Sequence, residues 1–292
     1  MSKSKVYLVA SEDRKTGAER CLAYWDALDY TGKQVYVKPN FNTADPAPGS
    51  THNDTLETIL AAVRAANPKK IILGERSGPA VVAEVYAVKN IAQLCEKYDA
   101  EFLNLENISK DDWVKIEGDD FHWQGGLEVP RALVESDIVV GMCCLKTHGF
   151  GGIYSNSLKL AVGLTPKDMM KLHGSPNIRK MIAEINVAYT PDFIISDAVE
   201  VFTDGGPMDG KRNSANVTFI GNDRIALDGA GLALLKSLGS NAAIMDTPIF
   251  QQEQISRAVE LGLGVTSAED IELVTDDEAS EAVAEKIREF LI

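Results

Sequence analysis

Lys146, Thr147 and His148 stand side by side behind the apolar run "DIVVGMCCL" and ahead of the glycine loop "GFGG". An ammonium beside an imidazole can hold negative charge with one group and move a proton with the other. Lys159 follows in "SNSLKL". Similar groups sit behind other apolar runs: Lys38 and Asn40 after "VYV", Glu75 and Arg76 after "KKIILG", and Asp197 at or near the end of "DFIIS". His52 lies at the start of one predicted helix and His173 just before another. A histidine there meets the positive end of the helix dipole and stays neutral, the form a metal ligand or general base needs. Each residue also has a plain structural role open to it. Lys38 can cap a sheet edge, His148 can bond a loop carbonyl, and Asp197 can hold a turn amide. Three of the four histidines fall in these predicted edge loops, which favours a shared role; His122, beside Trp123, reads as structural.

The elements that must position these residues alternate along the chain. Strands are expected at "KVYLVAS", "KQVYVKP", "KKIILGE", "EFLNLEN", "DIVVGMCCL", "DFIISDAV", "NVTFIGN" and "DIELVTD". Leu56, Ile59, Leu60 and Val63 keep helical spacing, with Asp54 and Glu57 placed as an N-cap and its partner. Ile178, Met181, Ile182 and Ile185 do the same after Ser175-Pro176, read as a cap followed by proline at the first helical position. A third helix follows Asp223, and a fourth closes the sequence. The pattern predicts one α/β domain over residues 1–292: a layered, mostly parallel sheet flanked by helices, with a small irregular excursion or hairpin near 107–130. In open parallel sheets ligands bind outside the carboxyl ends of the strands. The polar groups above are therefore expected at one edge, with the turn Asp204-Gly205-Gly206-Pro207 beside them.

The 292 residues carry a net charge of -14, which argues against nucleic acid and anionic membranes as partners. No apolar run approaches the roughly 20 residues of a membrane span, and "MSKSKVYLVASE" reads as a strand, not a signal peptide, so a cytoplasmic protein is expected. Cys21, Cys95, Cys143 and Cys144 form no CxxC or ferredoxin run and are expected as buried thiols. The common metalloprotease, dinucleotide, P-loop and nucleophile-elbow motifs are missing.

With "VKPNFN", "STHND", "GERSG", "LVESDIVVGMCCLKTHGFGGIYSNSLKLAVGL", "KLHGSPNI" and "GNDRIALDGAGLALL" in hand, nearly the whole chain resembles the family called domain of unknown function 362. The resemblance implies an α/β protein, with relatives often from anaerobic bacteria and archaea. Many of those relatives carry a ferredoxin-like [4Fe-4S] module that this chain lacks. Leu160 stands where relatives more usually have asparagine.

Two readings follow. In the first, an enzyme acts on a small anionic metabolite. Lys38, Asn40, Glu75, Arg76, Thr147 and Lys159 bind it, and Lys146, His148 and Asp197 do the chemistry. A metal-dependent variant takes His52, His148 and His173 as ligands of a divalent ion. In the second, the protein is a metabolite carrier, or docks a redox partner protein through its acidic surface.

Overall fold

The computed structural model describes residues 3–25, 27–123, 125–167 and 173–292. Its strands are β1 (Ser4–Ala10), β2 (Gln34–Lys38), β3 (Lys70–Glu75), β4 (Ala100–Asn104), β5 (Trp113–Ile116), β6 (Leu127–Pro130), β7 (Ile138–His148), β8 (Ile153–Ser155), β9 (Phe193–Gly205), β10 (Gly210–Gly221) and β11 (Ile271–Thr275). Among the described residues nine of them form one sheet, in the order β11-β1-β10-β9-β7-β2-β3-β4 with β8 on the end of β7. The expected mostly parallel α/β architecture is present. β2, β3, β4, β7 and β9 run parallel, and so do β1 and β11.

Alternation along each strand explains the layers. Val35 and Val37 face a core shared with Leu56, Ile59, Leu60 and Val63 of the helix Asn53–Ala65. Tyr36, between them, faces the opposite layer with Leu164, Ile182 and Ile185. Further along that second face, Leu145 and Ile194 meet Leu227, Ala230 and Leu234 of the helix Arg224–Ser237. Each fully buried aliphatic side chain contributes on the order of 1.5–3 kcal/mol, so both faces are firmly covered. The excursion near 107–130 contains the two-stranded β5–β6 sheet. His122 does serve structure there: its Nδ1 lies 2.6 Å from Oε1 of the buried Glu184, which also receives Arg257 at 3.1 Å.

Within this mostly parallel sheet β10 is antiparallel, wedged between β1 and β9, because Gly205 and Gly206 take positive φ and turn β9 straight back into a hairpin. Three expectations need correction. β9 therefore runs eight residues past Asp197, which lies within the strand instead of at its end. The helix Asn53–Ala65 is capped by His52, whose Nδ1 accepts from the Asp54 N–H at 3.2 Å; Asp54 is already helical. The helix Ile178–Ile185 starts at Asn177, while Ser175 bonds the Asn177 N–H in the preceding turn.

No described helix is long and apolar enough to cross a membrane.

Candidate functional site

Parallel pairing places the ends of β2 and β3 beside the long β7, with Lys38 level with Gly141. β7 then projects past β2 as far as His148, where β8 folds back on it and pairs Lys146 with Ser155. The short helix Ser157–Leu160 follows at once. These ends enclose a cavity of about 60 Å³ lined by Lys38, Asn40, Glu75, Arg76, Lys146, His148, Lys159 and His173, among others.

Within that set the charges are allotted unevenly. Lys38 Nζ lies 2.7 Å from Glu75 Oε2, both side chains buried, and also donates to the Pro39 carbonyl. Glu75 accepts two further bonds, from the Phe41 and Arg76 N–H groups at 2.8 and 2.9 Å. Burial pushes the Lys38 ammonium's pKa down and the Glu75 carboxyl's up, and their contact opposes both shifts. Arg76 donates to the Val162 and Thr165 carbonyls. Lys146 donates to the Pro48 and Gly49 carbonyls at 2.6 and 2.7 Å. Lys159 has no hydrogen-bond or ion-pair partner among the described residues. Burial, then Lys146 and Arg76, lower its pKa to about 7.

Glycines admit this crowding. A Cβ on Gly163 would overlap the Glu75 carboxylate and stand 2.7 Å from Lys38 Nζ. One on Gly152 would stand 2.7 Å from Lys159 Cε.

The two histidines stack, ring centroids 5.8 Å apart. The Phe150 peptide orients both. Its N–H donates to His148 Nδ1 at 3.3 Å, and its carbonyl, which can only accept, lies 3.1 Å from His173 Nδ1. His148 is thus left with an Nε2–H donor and His173 with an Nε2 lone pair. Burial foremost, then Lys159, depresses both pKa values, and that of His148 strongly. At neutral pH the pair offers one proton donor and one acceptor.

Three of the expected site residues lie elsewhere. His52 spends its Nδ1 on the helix cap and does not line the cavity. Asp197 is held by Arg14 at 2.9 Å and by the Thr55 hydroxyl at 3.3 Å. Thr147, one step along β7 from its two neighbours, is fully buried away from the cavity, and its hydroxyl has no hydrogen-bond partner among the described residues. Among the described residues no three His, Cys, Asp or Glu side chains stand where they could hold a metal ion, so His52, His148 and His173 do not form a ligand set. Cys143 and Cys144 line the cavity, and burial raises both thiol pKa values, which keeps them protonated.

The sequence reading missed Asn156 and Gly163. Asn156 Oδ1 accepts from Ser196 at 2.6 Å, and its Nδ2 donates to the Leu227 carbonyl. The available signal was a run of three small polar residues, Ser155, Asn156 and Ser157, ahead of Lys159 and between apolar residues. Leu160 lines the cavity as an apolar wall.

The fold and cavity define an α/β protein with a cation-rich pocket at the carboxyl edge of its sheet. The family model of the domain of unknown function DUF362 matches residues 35–233, and the chain belongs to that family. No curated protein matches the sequence significantly. Among solved structures the fold is similar to the lactate racemase apoprotein of Thermoanaerobacterium thermosaccharolyticum, at 12% identity and a TM-score of 0.50, over 98% of this chain and 86% of that one. A Thermotoga maritima protein is similar at 14% identity and a TM-score of 0.46, over 69% of this chain and 52% of that one.

Proposed function

We propose that this protein is an enzyme that binds a small anionic metabolite in the Lys159 cavity and moves a proton to or from it. The observation that carries the reading is the Lys159 ammonium, set without a partner among the described residues in a pocket whose described lining has four cationic side chains and one carboxylate. A cation largely withdrawn from water without a counter-ion is costly, and an entering carboxylate or phosphate would relieve that cost. His148 and His173, in complementary proton states, favour chemistry over carriage. The fold shared with a racemase named for lactate adds a small carboxylate to the panel of candidates, without supplying a reaction.

The test is thermal stabilisation by acetate, lactate, pyruvate and inorganic phosphate, for wild type and Lys159→Met. At least one anion should raise the Tm of wild type and leave the variant unmoved. A bound ligand should then exchange carbon-bound hydrogen in D2O, and His148→Ala should stop the exchange. An equal response of both proteins to every anion refutes the binding role, and a ligand that binds without exchange makes the protein a carrier.

A further inference from the structure

The segment bearing Lys159 has little structure of its own: three residues of β8 and one short turn of helix. Its seat is the helix Arg224–Ser237 beneath it. Asp228 on that helix is fully buried, and Oδ1 accepts from the Ser157 N–H at 2.8 Å, the Ser157 hydroxyl at 2.7 Å and the Leu158 N–H at 3.4 Å. Oδ2 accepts from the Tyr154 hydroxyl at 2.9 Å and from Gln254 at 3.4 Å. Asp228 makes no ion pair with the described residues, and burial raises its pKa to about 6.

The rest of the helix is cut to fit. Leu227 gives its carbonyl to Asn156, and a Cβ on Gly231 would stand 2.7 Å from Asn156 Nδ2. An apolar side chain in place of Asp228 would avoid the cost of a buried carboxylate, but it would leave the donors of residues 154, 157 and 158 unmet.

We propose that Asp228 is a positioning residue: by gripping Tyr154, Ser157 and Leu158 it sets the Lys159 ammonium in the cavity without touching the ligand. This rests on the reading of Lys159 as the contact of the anion. Lys159 is faced by Lys146 and His148 from β7, by Arg76 beyond β3 and by His173, and its titration reports whether it keeps that company.

The experiment is pulsed acetylation of Lys159 with acetic anhydride across pH, read by mass spectrometry without ligand. Wild type should titrate near the lowered value. Asp228→Asn keeps the size but presents an amide to the Tyr154 hydroxyl, and should move the apparent pKa of Lys159 upward by about one unit or more, toward the ordinary lysine value. Tyr154→Phe removes one of the tethers and should give a smaller upward shift; it decides the question if Asp228→Asn does not fold. A lower Tm with an unmoved Lys159 titration would show Asp228 to be purely structural and overturn the proposal. Because no ligand is present, a shift seen together with failure of every anion to bind refutes the functional reading and leaves the Asp228 link standing.

Discussion

Replacing Lys159 by methionine keeps the length of the side chain and removes its charge. The folded protein holds this amine at a pKa of about 7, against 10.5 for an ordinary lysine. Between those values the unfolded chain binds more protons than the folded one, so the contribution of Lys159 to stability rises with pH. Its opposition to folding is complete below about pH 7 and gone above about pH 10.5. The difference of roughly 3.5 units, at ~1.36 kcal/mol each, sets a ceiling of about 5 kcal/mol. Lys159 is partly exposed, and solvent screening brings the expected effect to about 2–3 kcal/mol. Lys159→Met should therefore be more stable than wild type near neutral pH, with the advantage shrinking by roughly that amount toward about pH 10. Urea unfolding of both proteins at constant ionic strength measures it, and other titrating groups cancel in the difference. A variant less stable than wild type at neutral pH, or a difference that does not change with pH, would refute the picture of an uncompensated ammonium.

Two further substitutions probe the wall behind Lys159. Glu75→Gln leaves the Lys38 ammonium buried without its counter-charge and should cost about 3–5 kcal/mol, with most of the loss recovered in the pair Lys38→Met, Glu75→Gln. With roughly 0.6 kcal/mol lost per degree for a chain of this length, calorimetry should show a fall in Tm of about 5–8 °C; a fall of a degree or less would count against a charged pair. Gly163→Ala forces a methyl between Glu75 and Lys38 and should destabilise by about 1–3 kcal/mol. A double-mutant cycle with Glu75→Gln, read by urea unfolding, should show strong coupling; simple additivity would mean that the loop moves aside.

The fold was legible because its signals are local. Val35-Tyr36-Val37 and "KKIIL" are apolar on both faces, as strands covered by helices must be. Knowing the strand direction is then enough to bring Lys38, Glu75 and Lys146 to one edge. What escaped depends on partners remote in sequence. Asp197 looked terminal because nothing in "DFIISDAVEVF" says that the strand continues as one arm of a hairpin. His52 looked available because its type and place suited a ligand, yet that same place, one residue ahead of the helix, is where a side chain caps it. Thr147 fell to the period-two rule: in an extended strand the neighbour of two cavity residues points away from them. The apolar run "DIVVGMCCL" stops at Leu145, so the sequence does not show Thr147 as part of the strand.

The distribution of partners separates residues that shape the cavity from those that act in it. Lys38 is cancelled by a carboxylate, so its charge builds the wall. Lys146 is different: the Pro48 and Gly49 carbonyls satisfy its donors without removing its charge. It pins the loop that carries them while still raising the potential that Lys159 feels. That potential drives part of the Lys159 population to the neutral amine, and the arrival of an anion reverses this by favouring the ammonium. Binding near neutral pH should therefore take up a fraction of a proton. Calorimetric titration in buffers of different ionisation enthalpy would detect the uptake, which should fall away below about pH 6, where Lys159 is already protonated. A proton uptake that persists there would place the titrating group elsewhere and leave Lys159 a spectator.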